Sequence, residues 1–211
     1  MNQHIVSQFG NPRGPFGRLV GVVMALKNRS RSTWAVEEMQ VNHCDAVLEI
    51  GTGPGATLNL VAARTSEGFV AGIDHSATMV RQARKRNRKG IAAGKITVTQ
   101  ASVSALPFPD NHFDKVFTIN SMMFWPDPVA CLQEVQRVLK PRGTFSVFFQ
   151  PHGAKTTSRV HEIGEKTLAD VRAAGFEETG LVVQEMKPVA CLRVAGVKPW
   201  SAPTPGTGGT R

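Results

Sequence analysis

From Asp45 onwards, short apolar or β-branched runs alternate with longer segments whose apolar residues recur at helical spacing. This alternation is typical of βαβ units, which build a mainly parallel sheet. Strands are predicted at residues 46–50, 69–74, 96–99, 115–120 and 144–149, and helices near residues 57–65, 79–89 and 129–139. The pattern therefore predicts an α/β fold.

The two ends of the chain follow other patterns. Residues 1–40 combine a Gly/Pro-rich loop with apolar and helical stretches, which predicts an N-terminal helical cap. Residues 41–197 are predicted to form the α/β domain, with a late helix at 161–174 and β-like runs at 180–185 and 189–194 that pair as antiparallel edge strands. Residues 198–211 are rich in Pro, Gly and Thr, a composition typical of a disordered tail.

Size and cysteine usage narrow the class of protein. A chain of 211 residues and 22.8 kDa fits one domain with short appendages. No run approaches the roughly 18 apolar residues that a membrane span needs. The three cysteines lie far apart, match no zinc-binding spacing and are too few for a disulfide framework, so we expect a reducing, cytoplasmic setting.

The strongest local signal lies after the first predicted strand, where Val47–Ile50 runs into the glycine cluster Gly51-Thr52-Gly53-Pro54-Gly55. Glycines permit positive φ and allow a ligand to approach the backbone, and the next helix offers free N–H groups. The spacing satisfies the dinucleotide fingerprint, with Asp74 about 20 residues further on for a ribose hydroxyl. S-adenosylmethionine, another adenosine ligand, is the alternative, and a tight turn without a ligand is the third.

Glu49 helps to choose between these ligands. A carboxylate inside a buried strand is costly unless it is satisfied. It suits a ligand that carries an ammonium and a sulfonium, whereas it repels a pyrophosphate. Glu49 therefore favours the methyl donor.

Four motifs in order then carry a family resemblance: VLEIGTGPG (47–55), GIDHS (72–76), ALPFPDNHFDKVF (105–117) and LQEVQRVLKPRG (132–143). With them, residues 41–150 resemble the class I S-adenosylmethionine-dependent methyltransferases, particularly the small-molecule branch that includes ubiquinone/menaquinone-type enzymes. The resemblance implies a Rossmann-like, doubly wound sheet of about seven strands with the last one antiparallel. It also implies an N-terminal helical lid over the acceptor.

The resemblance also implies roles in binding the donor. Its methionine and ribose are expected to be lined by Glu49, Gly51, Thr52, Gly53 and Gly55, with Asn120 beneath the methionine. Asp74 is expected to accept hydrogen bonds from the ribose hydroxyls. Adenine contacts are expected from His75, Met79, Ser102 and Val103. Ser102 stands where the family often has an aspartate. Simpler roles, a polar loop residue for His75 and a core methionine for Met79, stay open.

Acceptor residues are expected at the carboxyl ends of the strands, where ligands bind in open α/β sheets. The apolar loop with Phe124 and Trp125 follows the fourth strand, and His152 follows the fifth. We predict that His152 contacts the acceptor and takes its proton, with a solvent-exposed loop histidine as the alternative. Phe16 and Trp34 are expected to contact the acceptor from the N-terminal lid, unless that segment is a helix packed permanently on the sheet.

Charge keeps a second class of acceptor open. The net charge is +9, and residues 81–89 hold six cations, which suits nucleic acid phosphates or, alternatively, the solvated face of a helix. An RNA methyltransferase is therefore the alternative to an enzyme acting on a small molecule. A nicotinamide oxidoreductase is less favoured, because the chain has no tyrosine for the short-chain type and no room for a second domain. A donor-binding remnant without catalysis is the last alternative.

Metal binding and assembly complete the sequence predictions. His4, His43, His112 and His161 have no partner at a metal-binding spacing, so we expect no metal site. The sequence carries no signal for an oligomeric state.

Overall fold

The computed structural model describes residues 29–151, 153–154 and 156–200. Its centre is one seven-stranded sheet in the order β3-β2-β1-β4-β5-β7-β6. The strands are β1 (Ala46–Ile50), β2 (Phe69–Asp74), β3 (Ile96–Gln100), β4 (Phe113–Ile119), β5 (Leu139–Phe149), β6 (Glu177–Gln184) and β7 (Cys191–Val197). Strands β1 to β5 pair in parallel, whereas β7 runs antiparallel to both β5 and β6. The predicted seven-stranded sheet with an antiparallel last strand is confirmed.

Helices cover both faces of this sheet: α1 (Arg29–Glu38), α2 (Ala56–Ala62), α3 (Ala77–Arg86), α4 (Arg88–Ala92), α5 (Pro128–Val138) and α6 (Thr157–Ala173). All five residues of β1 are buried, as expected for a central parallel strand covered on both faces. Val47 points into one apolar cluster with α1, α2 and α3, and its neighbour Leu48 points into the other with α5 and α6. The two-residue alternation of the strands thus builds two cores.

Several element boundaries differ from the predictions, and two of these differences have a clear cause in the contacts. The predicted helix 79–89 is broken at Asn87, whose buried side-chain amide donates to the carbonyl oxygens of Gly55 (2.9 Å) and Ala83 (2.8 Å). Strand β5 begins at Leu139, five residues earlier than predicted, because Leu139 pairs with Phe113 across a bulge in β4. The pairing of β4 with β5 sets this boundary, and the local hydrophobic pattern does not indicate it.

The order of the strands in the sheet determines where a binding site can form. Strand β1 lies between β2 and β4, so its crossover connections leave on opposite sides. A crevice opens at the carboxyl ends of the strands at such a switch point. Among the described residues, no helix is long and apolar enough to cross a membrane. The segments 1–28 and 201–211 of the predicted cap and tail lie outside the described residues.

Candidate functional site

The turn between β1 and α2 is shaped by three glycines in the left-handed region. Gly51, Gly53 and Gly55 have φ of 73°, 53° and 70°, a conformation that side chains with a Cβ rarely adopt. The backbone N–H groups of Gly51 and Thr52 both donate to the carbonyl oxygen of Ile73 at 2.9 Å. The turn is therefore folded back onto the end of β2.

The three glycines face different surroundings. A Cβ on Gly51 would lie 2.2 Å from Oγ of Ser121, and one on Gly55 would lie 2.9 Å from Cα of Ala83. These two positions are glycine because the turn is packed against β4 and α3. A Cβ on Gly53 would meet nothing within 4 Å. Gly53 thus presents bare backbone to open space, as a ligand cradle requires.

Asp74, the last residue of β2, ties this turn to the neighbouring strand. Its Oδ2 accepts from the N–H of Gly53 (2.8 Å), and its Oδ1 accepts from the N–H of Ser76 (2.9 Å). Burial raises the pKa of Asp74, whereas these backbone donors and the nearby His75 imidazole lower it. Each carboxylate oxygen keeps a further lone pair. Asp74 can therefore hold the turn and accept from ligand hydroxyls.

Glu49 lies beneath the turn and is only 2 % exposed. The hydroxyl of Thr52 donates to its Oε2 at 2.8 Å, and Thr57 also hydrogen-bonds its carboxyl group. Burial, with a smaller contribution from Asp74, raises the pKa of Glu49 to about 8 in spite of these hydroxyls. A cation placed here would favour the ionised carboxylate. A cationic ligand would therefore promote the ionisation of Glu49 when it binds.

The residues predicted to contact adenine surround the end of β2 and the chain after β3. Met79 and Val103 are buried, whereas the His75 side chain is 53 % exposed, 3.8 Å from Asp74. Ser102 is exposed and accepts from the N–H of Ser104 at 3.2 Å, so its hydroxyl stabilises a local turn. The adenine roles of these four residues stay predictions.

Asn120 directly follows β4 with a φ of 53°, and its Oδ1 accepts from the N–H of Gln150 at 2.9 Å. The side chain therefore joins the carboxyl ends of β4 and β5 beside the glycine turn. The next residue, Ser121, packs against Gly51 and also accepts from the indole N–H of Trp125 at 3.3 Å. The contact of Ser121 with Gly51 could not be predicted from the sequence, because it depends on the pairing of β1 with β4.

A cavity of about 440 Å³ opens beside Asn120 and Ser121, between the turn after β4, strand β5 and helix α6. Its apolar wall is made by Met122, Met123, Trp125, Pro128, Val147, Phe149 and Ile163. Its polar wall adds two cations and two carboxylates of α6, together with a hydroxyl: Arg159, Lys166, Glu162, Asp170 and Thr167. The volume and the mixed lining suit a small organic molecule.

The residues predicted to contact the acceptor are not all brought together. Trp125 lines the cavity and is 8 % exposed, but Phe124 is 47 % exposed and is not part of the wall. Trp34 packs edge-on against Phe148 (5.4 Å between ring centroids), on the face of β5 opposite to the cavity residues Val147 and Phe149. Phe16 and His152 lie outside the described residues.

A second polar residue escaped the sequence analysis. Arg31 of α1 is 2 % exposed, and its guanidinium donates to Oε1 of Gln150 at 2.6 Å. Burial lowers the pKa of Arg31. Gln150 also donates to the carbonyl oxygens of Lys187 and Val189, at 3.1 and 2.7 Å. This network fixes the start of α1 over the carboxyl end of β5, and nothing in the local sequence around Arg31 indicates it.

The basic stretch 81–89 lies away from the cavity. Its six cations are all exposed on α3 and α4, at the β3 edge of the sheet. The guanidinium of Arg84 donates to the carbonyl oxygen of Val98 on β3 at 2.8 and 2.9 Å. At least one of these cations therefore has a structural partner.

Comparison with known proteins shows which family this fold and site belong to. The model of the family described as "Methyltransferase domain" matches residues 48–147. The chain is 28% identical over 183 residues to the methyltransferase YdaC of Bacillus subtilis, covering 86% of this chain and 98% of that protein. It is 30% identical to the methyltransferase YrhH of the same organism over 64% of this chain and 75% of that protein.

A solved structure agrees with this assignment at the level of the fold. It is an S-adenosylmethionine-dependent methyltransferase from Aquifex aeolicus, with a TM-score of 0.65 and 23% identity. The superposition covers 79% of this chain and 89% of that one.

Proposed function

Because the chain belongs to the family of S-adenosylmethionine-dependent methyltransferases, we propose that it methylates a small organic acceptor held in the cavity between the turn after β4, β5 and α6. The observation that carries this proposal is the contact between Gly51 of the glycine turn and Ser121 of the cavity wall. A donor on the turn and an acceptor in the cavity would then meet beside residues 120 and 121, in the direct contact that methyl transfer requires.

The residues around the turn fit the donor. Gly53 leaves space for it, Asp74 offers lone pairs to ribose hydroxyls, and Glu49 offers a carboxylate to the cationic methionine end. When bound, S-adenosylmethionine supplies a methyl group already activated by its sulfonium. The chain's own task is then to orient the acceptor and exclude water, and such orientation contributes about 7–11 kcal/mol to lowering a barrier.

The cavity supports an acceptor with an apolar body and a polar group. Three large side chains in its lining, Met122, Trp125 and Phe149, offer apolar contact. The carboxylates and cations of α6 in the same lining can fix one polar substituent. This lining agrees with the small-molecule branch that the sequence motifs resemble.

A proton acceptor is needed only when the methylated atom carries a proton, and such groups add about 10²–10⁴-fold. We propose His152 for this role, since it comes three residues after the end of β5 and two residues after Gln150 at the site. Replacing His152 with Asn is expected to lower turnover by at least about 10²-fold at unchanged donor affinity. Unaltered turnover would remove His152 from the reaction.

We also propose a cellular compartment and weigh RNA as the alternative acceptor. The three cysteines are free, which supports a reducing, cytoplasmic compartment. The exposed cations of residues 81–89 are the feature that favours RNA as an acceptor. They lie at the β3 edge, whereas the cavity lies between β4, β5 and α6, so the position of the cavity supports the small molecule instead.

A pair of variants on α6 tests the proposal. Thr167 lines the cavity, whereas Glu165 is exposed on the same helix and lies outside the cavity wall. We expect Thr167→Trp to fill the cavity and abolish transfer of labelled methyl groups to small quinols, phenols and carboxylic acids, and Glu165→Trp to keep it. Donor affinity is expected to be equal in both variants.

Two results would contradict the acceptor assignment. One is transfer to a small acceptor that Thr167→Trp leaves unchanged. The other is labelling of total RNA, but of no small acceptor, with a steep dependence on salt. Neither result would affect the donor site, whose occupancy is measured separately in the same samples.

A further inference from the structure

Three metal-ligating side chains meet at the amino-terminal edge of the sheet, far from the glycine turn. His43 and Cys44 precede β1, and Glu67 precedes β2. Their ligand atoms, one imidazole nitrogen, one sulfur and one carboxylate oxygen, lie within 4.8 Å of one another. No sequence spacing indicates this group, since Glu67 is brought to the other two only by the pairing of β1 with β2.

The distances between the ligand atoms fit one small cation. Sγ of Cys44 lies 2.8 Å from Nδ1 of His43 and 3.3 Å from Oε2 of Glu67, and Nδ1 lies 3.8 Å from Oε2. Ligands of a tetrahedral Zn²⁺ stand roughly 3.4–3.6 Å apart, given bonds of about 2.0–2.3 Å. Each pair needs an adjustment of less than about 1 Å, which exposed side chains reach by small rotations.

The backbone holds the two segments together without a metal. The N–H groups of Glu67 and Gly68 both donate to the carbonyl oxygen of His43, at 2.9 Å each. The side chains of His43 and Glu67 are 67% and 71% exposed, and Cys44 is exposed. The framework is therefore fixed, while the ligand atoms stay accessible to an ion from solution.

We propose that His43, Cys44 and Glu67 form a binding site for a single Zn²⁺ ion. The combination of thiolate, imidazole and carboxylate is one that Zn²⁺ accepts, with water in the fourth position. On binding, the S–H bond of Cys44 breaks, a zinc–sulfur bond forms and the proton leaves to solvent. The ion would cross-link the two segments that begin β1 and β2.

The site is separate from methyl transfer. Strand β1, five residues long at about 3.3 Å per residue, separates it by more than about 15 Å from the glycine turn. The expected effect of Zn²⁺ is therefore a higher melting temperature, with donor affinity unchanged. Loss of donor binding in another experiment would leave this proposal standing.

The experiment uses the full chain without a purification tag, titrated with Co²⁺ as a spectroscopic substitute for Zn²⁺. We expect one Co²⁺ per chain, a sulfur-to-cobalt absorption in the near ultraviolet, and displacement by Zn²⁺. Cys44→Ser is expected to lose this absorption, and His43→Asn and Glu67→Gln to weaken binding at least about tenfold. His161→Asn, which removes an exposed histidine on α6, is the matched control and is expected to bind as the wild type does.

Two outcomes would overturn the proposal. The first is a wild-type chain that binds neither ion at micromolar concentration. The second is a sulfur-to-cobalt absorption that persists in Cys44→Ser. Far-ultraviolet circular dichroism of each variant shows that the variant is folded.

Discussion

Replacing Glu49 with Gln tests whether this carboxylate receives a cationic donor. Burial raises the pKa of Glu49 to about 8, so the empty site holds it mostly protonated at neutral pH. If the donor binds only the ionised form, the apparent Kd rises by the inverse of the ionised fraction. That fraction is about 1 % at pH 6 and about one half at pH 8. Donor affinity is therefore expected to increase about 50-fold between these pH values.

Titration calorimetry with S-adenosylmethionine at pH 6, 7 and 8 measures this effect. Gln has nearly the same shape as Glu and its carbonyl oxygen can still accept from Thr52, so Glu49→Gln removes the titration without emptying the site. The ammonium group of the donor titrates identically in both experiments and cancels in the ratio. A wild-type affinity that changes with pH no more than that of Glu49→Gln would refute the reasoning.

Four further predictions concern the turn and its carboxylates. The folded chain holds a proton on Glu49 that the unfolded chain releases above about pH 4.5. The free energy of unfolding is therefore expected to fall between about pH 4.5 and 8, by at most about 1.4 kcal/mol per pH unit. Urea titrations of Glu49→Gln are expected to lack this slope. Gly51→Ala is expected to destabilise the fold by more than about 2 kcal/mol, because alanine disfavours the φ of 73° and its Cβ collides with Ser121. Adding Ser121→Gly removes the collision, so it is expected to recover only that part of the lost stability. Gly53→Ala adds a Cβ that meets no protein atom within 4 Å, so it is expected to lower the free energy of unfolding by only about 1–2 kcal/mol. The same Cβ points into the space left for the donor, so calorimetry is expected to show a larger loss in the free energy of donor binding. Asp74→Asn is expected to weaken binding of S-adenosylhomocysteine at least about tenfold, because an amide replaces one acceptor of the ribose hydroxyls, and unchanged affinity would remove Asp74 from the site.

The donor half of the site could be predicted from sequence because its residues are local. The glycine turn, Glu49 and Asp74 lie at the ends of two consecutive strands, and a parallel sheet brings such ends together. The strand β1 and the antiparallel last strand followed from the apolar pattern and from the family resemblance. The positive φ at Gly51, Gly53 and Gly55 is the geometry that the glycine spacing indicates.

The other half depends on contacts between distant parts of the chain. The Arg31–Gln150 hydrogen bond joins residues 119 positions apart, and Ser121 reaches Gly51 only across the β1–β4 pair. One wall of the cavity is formed by α6, which begins at Thr157, far along the chain from Asn120 and Ser121 of the same cavity. Trp34 illustrates the limit: from the sequence, a contact with the acceptor and packing on the sheet both stayed open, and only the structure shows that its ring lies against Phe148.

The central claim is that the glycine turn, with Glu49 and Asp74 at its sides, binds S-adenosylmethionine. Equilibrium dialysis of methyl-labelled S-adenosylmethionine against the full chain tests it most directly. One equivalent is expected to bind per chain, to be displaced by S-adenosylhomocysteine and to be retained in excess NAD. A folded chain that retains no label, or one from which NAD displaces it, would contradict the account.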